Sequence, residues 1–294
     1  FWNNTASTIG GAICNPPSAS DKTAHVQLLV VDSQFGGNEA FGGGALATAN
    51  NGLRVVNCTL QNNRARRVGG AIFSAHQHVE LERCVLTGNT AGNRTEALAL
   101  REQLVAAGSW SASAPLIASF DGDLQQWEQI SHLFDWNSNN AGAGNIDGAL
   151  DNALISEFVA YVSSLPTAGG AAYITSPEDS SVVLCSFAHN DAYAGLGGAV
   201  AFSNSVRFSY TRFENHTAAI GGALYGAPGC SLYAEHCDFE HNFASALGGA
   251  VAHQGPLAGR YHACNFVKNA AQLVGGYEES VSVLVQLPPP FSHA

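Results

Sequence analysis

The chain has 294 residues, 32 of them glycine, with 46% hydrophobic and only 12% charged residues. Its length suits one elongated domain or two ordinary ones, and a net charge of −11 argues against nucleic acid or anionic membrane as a partner. No apolar run reaches the roughly 18 residues of a membrane span. No signal peptide opens the chain, and the lack of methionine even at position 1 predicts that it begins inside a longer precursor.

From the amino terminus, Phe1-x-x-Asn4 leads to Ala6 and then Gly10-Gly11-Ala12-Ile13. The same order returns with Leu28/Val30, Phe35-x-x-Asn38, Ala40 and Gly43-Gly44. It returns again with Leu53/Val55, Cys58, Leu60-x-x-Asn63, Ala65 and Gly69-Gly70-Ala71-Ile72, and then with Val79/Leu81, Cys84, Leu86-x-x-Asn89 and Ala91. There the register breaks. Thr95 to Ala107 predicts a short helix, capped at Asn93 or Thr95 and ended by Gly108. Asp147 to Ser164 predicts a second, whose apolar stripe includes Leu150, Leu154, Phe158, Tyr161 and Leu165 and which Pro166 stops.

The repeat resumes at Gly169-Gly170, then Cys185, Phe187-x-x-Asn190, Ala192 and Gly197-Gly198. The next copies are Val206/Phe208, Phe213, Ala218 and Gly221-Gly222, with His216 in the asparagine slot, and then Leu232/Ala234, Cys237, Phe239-x-x-Asn242, Ala244 and Gly248-Gly249. Cys264, Phe266-x-x-Asn269, Ala271 and Gly275-Gly276 close the series, before an extended exit at Leu287-Pro-Pro-Pro290. Ser33 and Thr211 stand where the other copies have cysteine. Successive Gly-Gly pairs lie 33, 26, 100, 28, 24, 27 and 27 residues apart, so the one abnormal step marks an insertion.

Period-two alternation places cysteine and phenylalanine on one face of a strand, and the upstream apolar pair on the same side of another. One such pair of short strands cannot bury its apolar face, whereas copies stacked in register build a continuous core with rungs about 4.8 Å apart. The expected fold is therefore all-β: a right-handed parallel β-helix of about 8–9 coils. The expected organisation is coils over residues 1–95, an α-rich insertion over 96–166, and coils with a tail over 167–294. In this frame each phenylalanine stacks on the next, each asparagine amide bonds the next, and the glycines allow positive φ and close approach of coils.

Gly10-Gly11-Ala12-Ile13 and Gly69-Gly70-Ala71-Ile72, beside Phe1-Trp2-Asn3-Asn4 and Phe239-Glu240-His241-Asn242, resemble the repeats of the chlamydial polymorphic outer-membrane protein family. The resemblance covers about residues 1–95 and 169–277. It implies a β-helical adhesive passenger carried to the cell surface; the membrane barrel of such autotransporters has no counterpart in this sequence.

Several tempting residues are better explained by the scaffold. Asp135-Trp136-Asn137-Ser138-Asn139-Asn140 fails as a calcium loop, because Asn140 stands where glycine is needed and Ile146 where a bidentate glutamate belongs. His189 and His241 share an outward slot, but Asn215 intervenes, so the two lie about 10 Å apart, too far for one zinc ion. The cysteines lack a Cys-x-x-Cys spacing and read as a buried ladder of free thiols, leaving Cys14 and Cys230 as the better candidates for a disulfide. Glu80, Glu82, Glu235 and Glu240 form no repeated acidic stack facing Arg64, Arg66 and Arg67. No catalytic residue, metal or cofactor is expected.

Asn3, Asn57, Asn93 and Asn215 each begin Asn-x-Ser/Thr at outward or bend positions, which favours a eukaryotic secretory route over a bacterial one. Trp110, Trp127 and Trp136 concentrate in the insertion as partner or sugar contacts. The functional expectation is a non-enzymatic, extracellular or cell-surface structural or adhesion protein. It belongs to a larger surface assembly, with other subunits and glycans as partners. The rival readings are a polysaccharide lyase or glycosidase and a carbohydrate-binding module.

Overall fold

A computed structural model of the chain describes residues 1–15, 27–49, 52–75, 78–93, 167–176, 179–193, 195–227, 229–254, 259–271 and 284–287. All the described elements are β-strands, and every pairing between them is parallel. One coil shows the plan: Leu53–Val56, Thr59–Gln61, Arg64–Val68 and Ile72–Ala75 each join a different sheet. Three sheets have seven strands and the fourth has eight, in strict order along the axis. The chain is a parallel β-solenoid whose seven-stranded sheets rise through six turns from first rung to last, fewer coils than the motif count suggested. The first motif copy contributes only part of a coil: Trp2, Thr5 and Ile9 make single bridges onto the coil above, and only Ile13–Asn15 pairs as a strand.

Inward alternation holds in the first and second sheets. Leu53/Val55, Val79/Leu81, Val206/Phe208 and Leu232/Ala234 align across the first sheet and are buried. In the second sheet Phe35, Leu60, Leu86, Phe187, Phe213, Phe239 and Phe266 share one register. The rings stack at the rung spacing, with centroids 5.1 Å apart for Phe187–Phe213, 4.9 Å for Phe213–Phe239 and 4.8 Å for Phe239–Phe266.

At the corner that follows, the asparagines form the expected ladder. The Asn63 side chain donates to Asn89 Oδ1 at 3.0 Å and to the Phe35 carbonyl at 3.1 Å, while the Asn63 backbone N–H also donates to Asn89 Oδ1. The same three bonds recur at Asn38, Asn89 and Asn242, and Asn269 ends the ladder by accepting from Asn242 and donating to the Phe239 carbonyl. A buried amide with every hydrogen-bonding group engaged satisfies turn backbone that water cannot reach.

The Gly-Gly pair serves two purposes. The first glycine lies in the left-handed region, as at Gly197 (φ 64°), where a side chain would be strained. The second lies against the next coil, so that a Cβ on Gly198 would collide with the carbonyl oxygen of Gly222. The turn leads into the fourth sheet, which has apolar residues on both faces. Ile72, Ala172, Val200 and Leu224 face the main core, while Phe73, Tyr173 and Tyr225 bury in a second layer with Val68, Ala168, Leu196 and Ile220. This outer layer was not expected from the sequence.

The expected helices and Trp110, Trp127 and Trp136 lie outside the described residues. The path around them is clear, however. Strand Thr90–Ala91 ends the regular register, and Ala168 resumes it by bridging Val68 on one side and Leu196 on the other. Gly92 and Thr167 are neighbours, since a Cβ on Gly92 would lie 2.6 Å from the Thr167 methyl group. The 74 intervening residues therefore leave and rejoin the solenoid at one place, as an insertion into a single coil must.

Candidate functional site

Among the described residues, the outer surface carries two corner columns. At the bend between the first and second sheets, Asp32, Asn57, Arg83, Leu184, Tyr210, His236 and Ala263 all adopt φ of about +50°. At the next corner Asn3, Asn62, His189, Asn215, His241 and Lys268 do the same. A left-handed residue at the same place in each coil sends its side chain outward in a column, interrupted at the second corner by Gly37 and Gly88. Asn57 Nδ2 donates to Asp32 Oδ1 at 2.6 Å, and the Tyr210 and His236 rings stack 4.8 Å apart.

Three of the four sequon asparagines fall on these columns. Asn3 and Asn57 are exposed and Asn215 is half-buried, and Asn93 stands where the insertion leaves the coil. His189, Asn215 and His241 occupy successive positions of the second column, so the two histidines are separated by a whole coil, as their spacing predicted.

Five outward carboxylates, Glu39, Glu80, Glu82, Glu214 and Glu240, are held in ion pairs. Arg54 meets both Glu80 (3.2 Å) and Glu82 (3.5 Å), and Glu82 also meets Arg83 at 3.0 Å. Arg212 bridges Glu214 (3.2 Å) and Glu240 (2.8 Å), and the resulting attraction, chiefly the hydrogen bond to Glu240, raises the Arg212 pKa. In the basic stretch, Arg66 pairs with Glu39 at 3.6 Å. Arg207 lies over the Tyr233 ring, 4.5 Å from its centroid. Exposed pairs of this kind each contribute about 0–1 kcal/mol, so they tune surface charge more than stability.

All seven cysteines are free. Cys58, Cys84, Cys185 and Cys237 are buried in the inward ladder, and each thiol donates to the carbonyl two residues before it. Burial pushes the Cys237 thiol up to about 12, and contact with Cys84 together with burial raises that of Cys185. The expectation that Cys14 and Cys230 form a bond is not met. Cys14 is exposed on the first strand of the fourth sheet, whereas Cys230 is buried just beyond the sixth, Leu224–Gly226. Five rung spacings, about 24 Å, separate them, far beyond disulfide reach.

One grouping was missed by sequence reading. Glu235, His236 and His262 bring one ligand atom each to within 4.8 Å of one another. The signal was present in the repeat frame: counted back from Cys237 and Cys264, Glu235 and His262 hold the same outward position, and the two pair across adjacent strands. Comparison with known proteins returns no match among family models, curated proteins or solved structures.

Proposed function

We propose that this chain is a non-enzymatic extracellular or cell-surface protein, a rigid β-helical element with a structural or adhesive role in a larger surface assembly. The observation that carries this reading is the use of the patterned residues. Phenylalanine, asparagine, cysteine, alanine and glycine are consumed by stacking, and the clustered carboxylates of the Glu80/Glu82 and Glu214/Glu240 pairs are held by arginines. The resemblance of the repeat to adhesive surface passengers supports the same reading. So do the sequon asparagines at corner positions, where a glycan leaves the core undisturbed. Other subunits and glycans are the partners this reading implies.

Two measurements test it. Antibody against the chain should label intact, unpermeabilised source cells or their surface material; labelling only after permeabilisation would overturn the surface assignment. Incubation with pectins, alginates and glycosaminoglycans should give no cleavage. Turnover that Glu80→Gln or Glu240→Gln abolishes would replace the structural reading with a carbohydrate-active enzyme.

A further inference from the structure

The geometry points to a divalent transition-metal site on the outer face of the last two complete coils, formed by Glu235, His236 and His262, with zinc as its natural probe. Glu235 and His262 are register partners on adjacent parallel strands, Leu232–Glu235 and Arg260–His262, so their side chains leave the same face one rung apart. His236 follows Glu235 at the corner, and its left-handed backbone (φ 51°) turns the imidazole outward beside them. Its backbone N–H donates to the His262 carbonyl at 2.9 Å, which ties the two histidine backbones together. Stacking on Tyr210 at 4.8 Å and 10° holds the His236 ring by its face, and a face-stacked ring keeps both nitrogens at its rim for bonding. The His262 ring meets it at 69° with centroids 5.8 Å apart.

Two imidazoles and one carboxylate form a donor set suited to zinc and its first-row neighbours, and leave a position open for water or for a partner's ligand. Ligand atoms within 4.8 Å of one another need only small side-chain rotations to reach metal bonds of about 2.0–2.2 Å. The only other such grouping found among the described residues, Glu214, Glu240 and His241, differs in one decisive respect: Arg212 already holds both of its carboxylates. Glu235 has no ion pair among the described residues, so its carboxylate is available to a cation. A bound ion would bridge two coils and pin the carboxy-terminal part of the solenoid.

The test uses the full chain without a histidine tag. Zinc titration by calorimetry, with cobalt absorption as a readout of ligand geometry, should give one ion per chain and raise the melting temperature. His236→Ala and His262→Ala should each weaken zinc binding by about tenfold or more, as loss of a ligand does, while His241→Ala leaves it unchanged. The pair His236→Ala/His262→Ala should abolish the cobalt spectrum. The proposal is overturned if the unaltered chain binds no zinc in excess metal, or if the double variant binds it as tightly as the unaltered chain. This outcome is independent of whether the chain proves structural or enzymatic.

Discussion

The backbone N–H of Asn190 donates to Nδ1 of His216 at 3.1 Å, at the one coil where the asparagine ladder gives way to a histidine. Above and below, the ladder continues, for the His216 N–H donates to Asn242 Oδ1 at 3.1 Å. Accepting at Nδ1 requires the imidazole to be neutral with its proton on Nε2. That nitrogen is turned toward the Phe187 carbonyl, the acceptor an asparagine would use there, yet makes no hydrogen bond of ordinary geometry. Histidine is thus an imperfect substitute: it serves the coil on one side and leaves a buried donor unsatisfied.

His216→Asn should therefore stabilise the protein by about 1 kcal/mol, by restoring a full set of side-chain bonds. His216→Ala should destabilise it by at least about 1–3 kcal/mol, since the Asn190 N–H is left buried without an acceptor. Urea unfolding of the three proteins side by side measures both differences. An asparagine variant less stable than the parent would show that ring packing against Phe213, at 6.3 Å, outweighs the amide bonds.

The same residue should impose a pH dependence. Complete burial pushes the His216 pKa down from 6.5 to about 3. Between those values the unfolded chain binds a proton that the folded chain refuses. Stability is then present in full above about pH 6.5 and is lost as pH falls toward 3. The difference in unfolding free energy between the parent and His216→Asn should widen in favour of the variant across that window. A difference independent of pH would mean that the histidine is hydrated or protonated in the folded state.

How far the sequence reveals this molecule depends on the kind of contact. The Asn63 ladder, the Phe213 stack and the Cys58 column repeat one residue type at one spacing, so the eye finds them without coordinates. Phe73, Tyr173 and Tyr225 escape notice because the fourth sheet is buried on both faces, which erases the alternation that distinguishes inside from outside. Glu235 and His262 were not seen as a pair because outward positions vary from coil to coil; only the register Glu235↔His262 joins them.

The two glycines of each pair should respond differently from a glycine elsewhere. Gly198→Ala places a methyl group against the Gly222 carbonyl, backbone that cannot move without displacing the next coil. The expected cost is about 3 kcal/mol or more, at the upper end of core overpacking. Gly52→Ala, whose Cβ would find its nearest neighbour at 3.5 Å, should change stability by less than about 0.5 kcal/mol. Thermal melts of the two variants decide whether coil approach or glycine content sets stability.

The phenylalanine column offers a graded test. Phe213 stacks between Phe187 and Phe239 and meets Phe208 edge-on at 5.4 Å. Phe213→Ala should cost about 3–5 kcal/mol through lost burial and an incompletely collapsed cavity. Phe213→Leu should cost much less, because Leu60 and Leu86 already fill the equivalent position in two coils with complete burial. Equal losses for the two variants would mean that ring stacking, rather than filled volume, holds the column.

The cysteine column can be tested by its own exception. Thr211 occupies a cysteine position and reproduces its bonds, donating to the Ser209 carbonyl at 3.0 Å and accepting from the Cys185 N–H at 3.4 Å. Cys237 makes the matching bond to the Glu235 carbonyl at 3.3 Å. If the thiols serve only as small, weakly hydrogen-bonding core groups, Cys237→Thr should be tolerated within about 1 kcal/mol. Melting should likewise be the same with and without reductant, and in the folded protein alkylating reagents should reach Cys14 long before Cys237, whose burial disfavours the thiolate. A reductant-dependent melt would reveal a bond between coils and overturn the description of the column as free thiols. Because neighbouring thiols in a parallel ladder leave their strands side by side, such a bond would strain the geometry a disulfide requires.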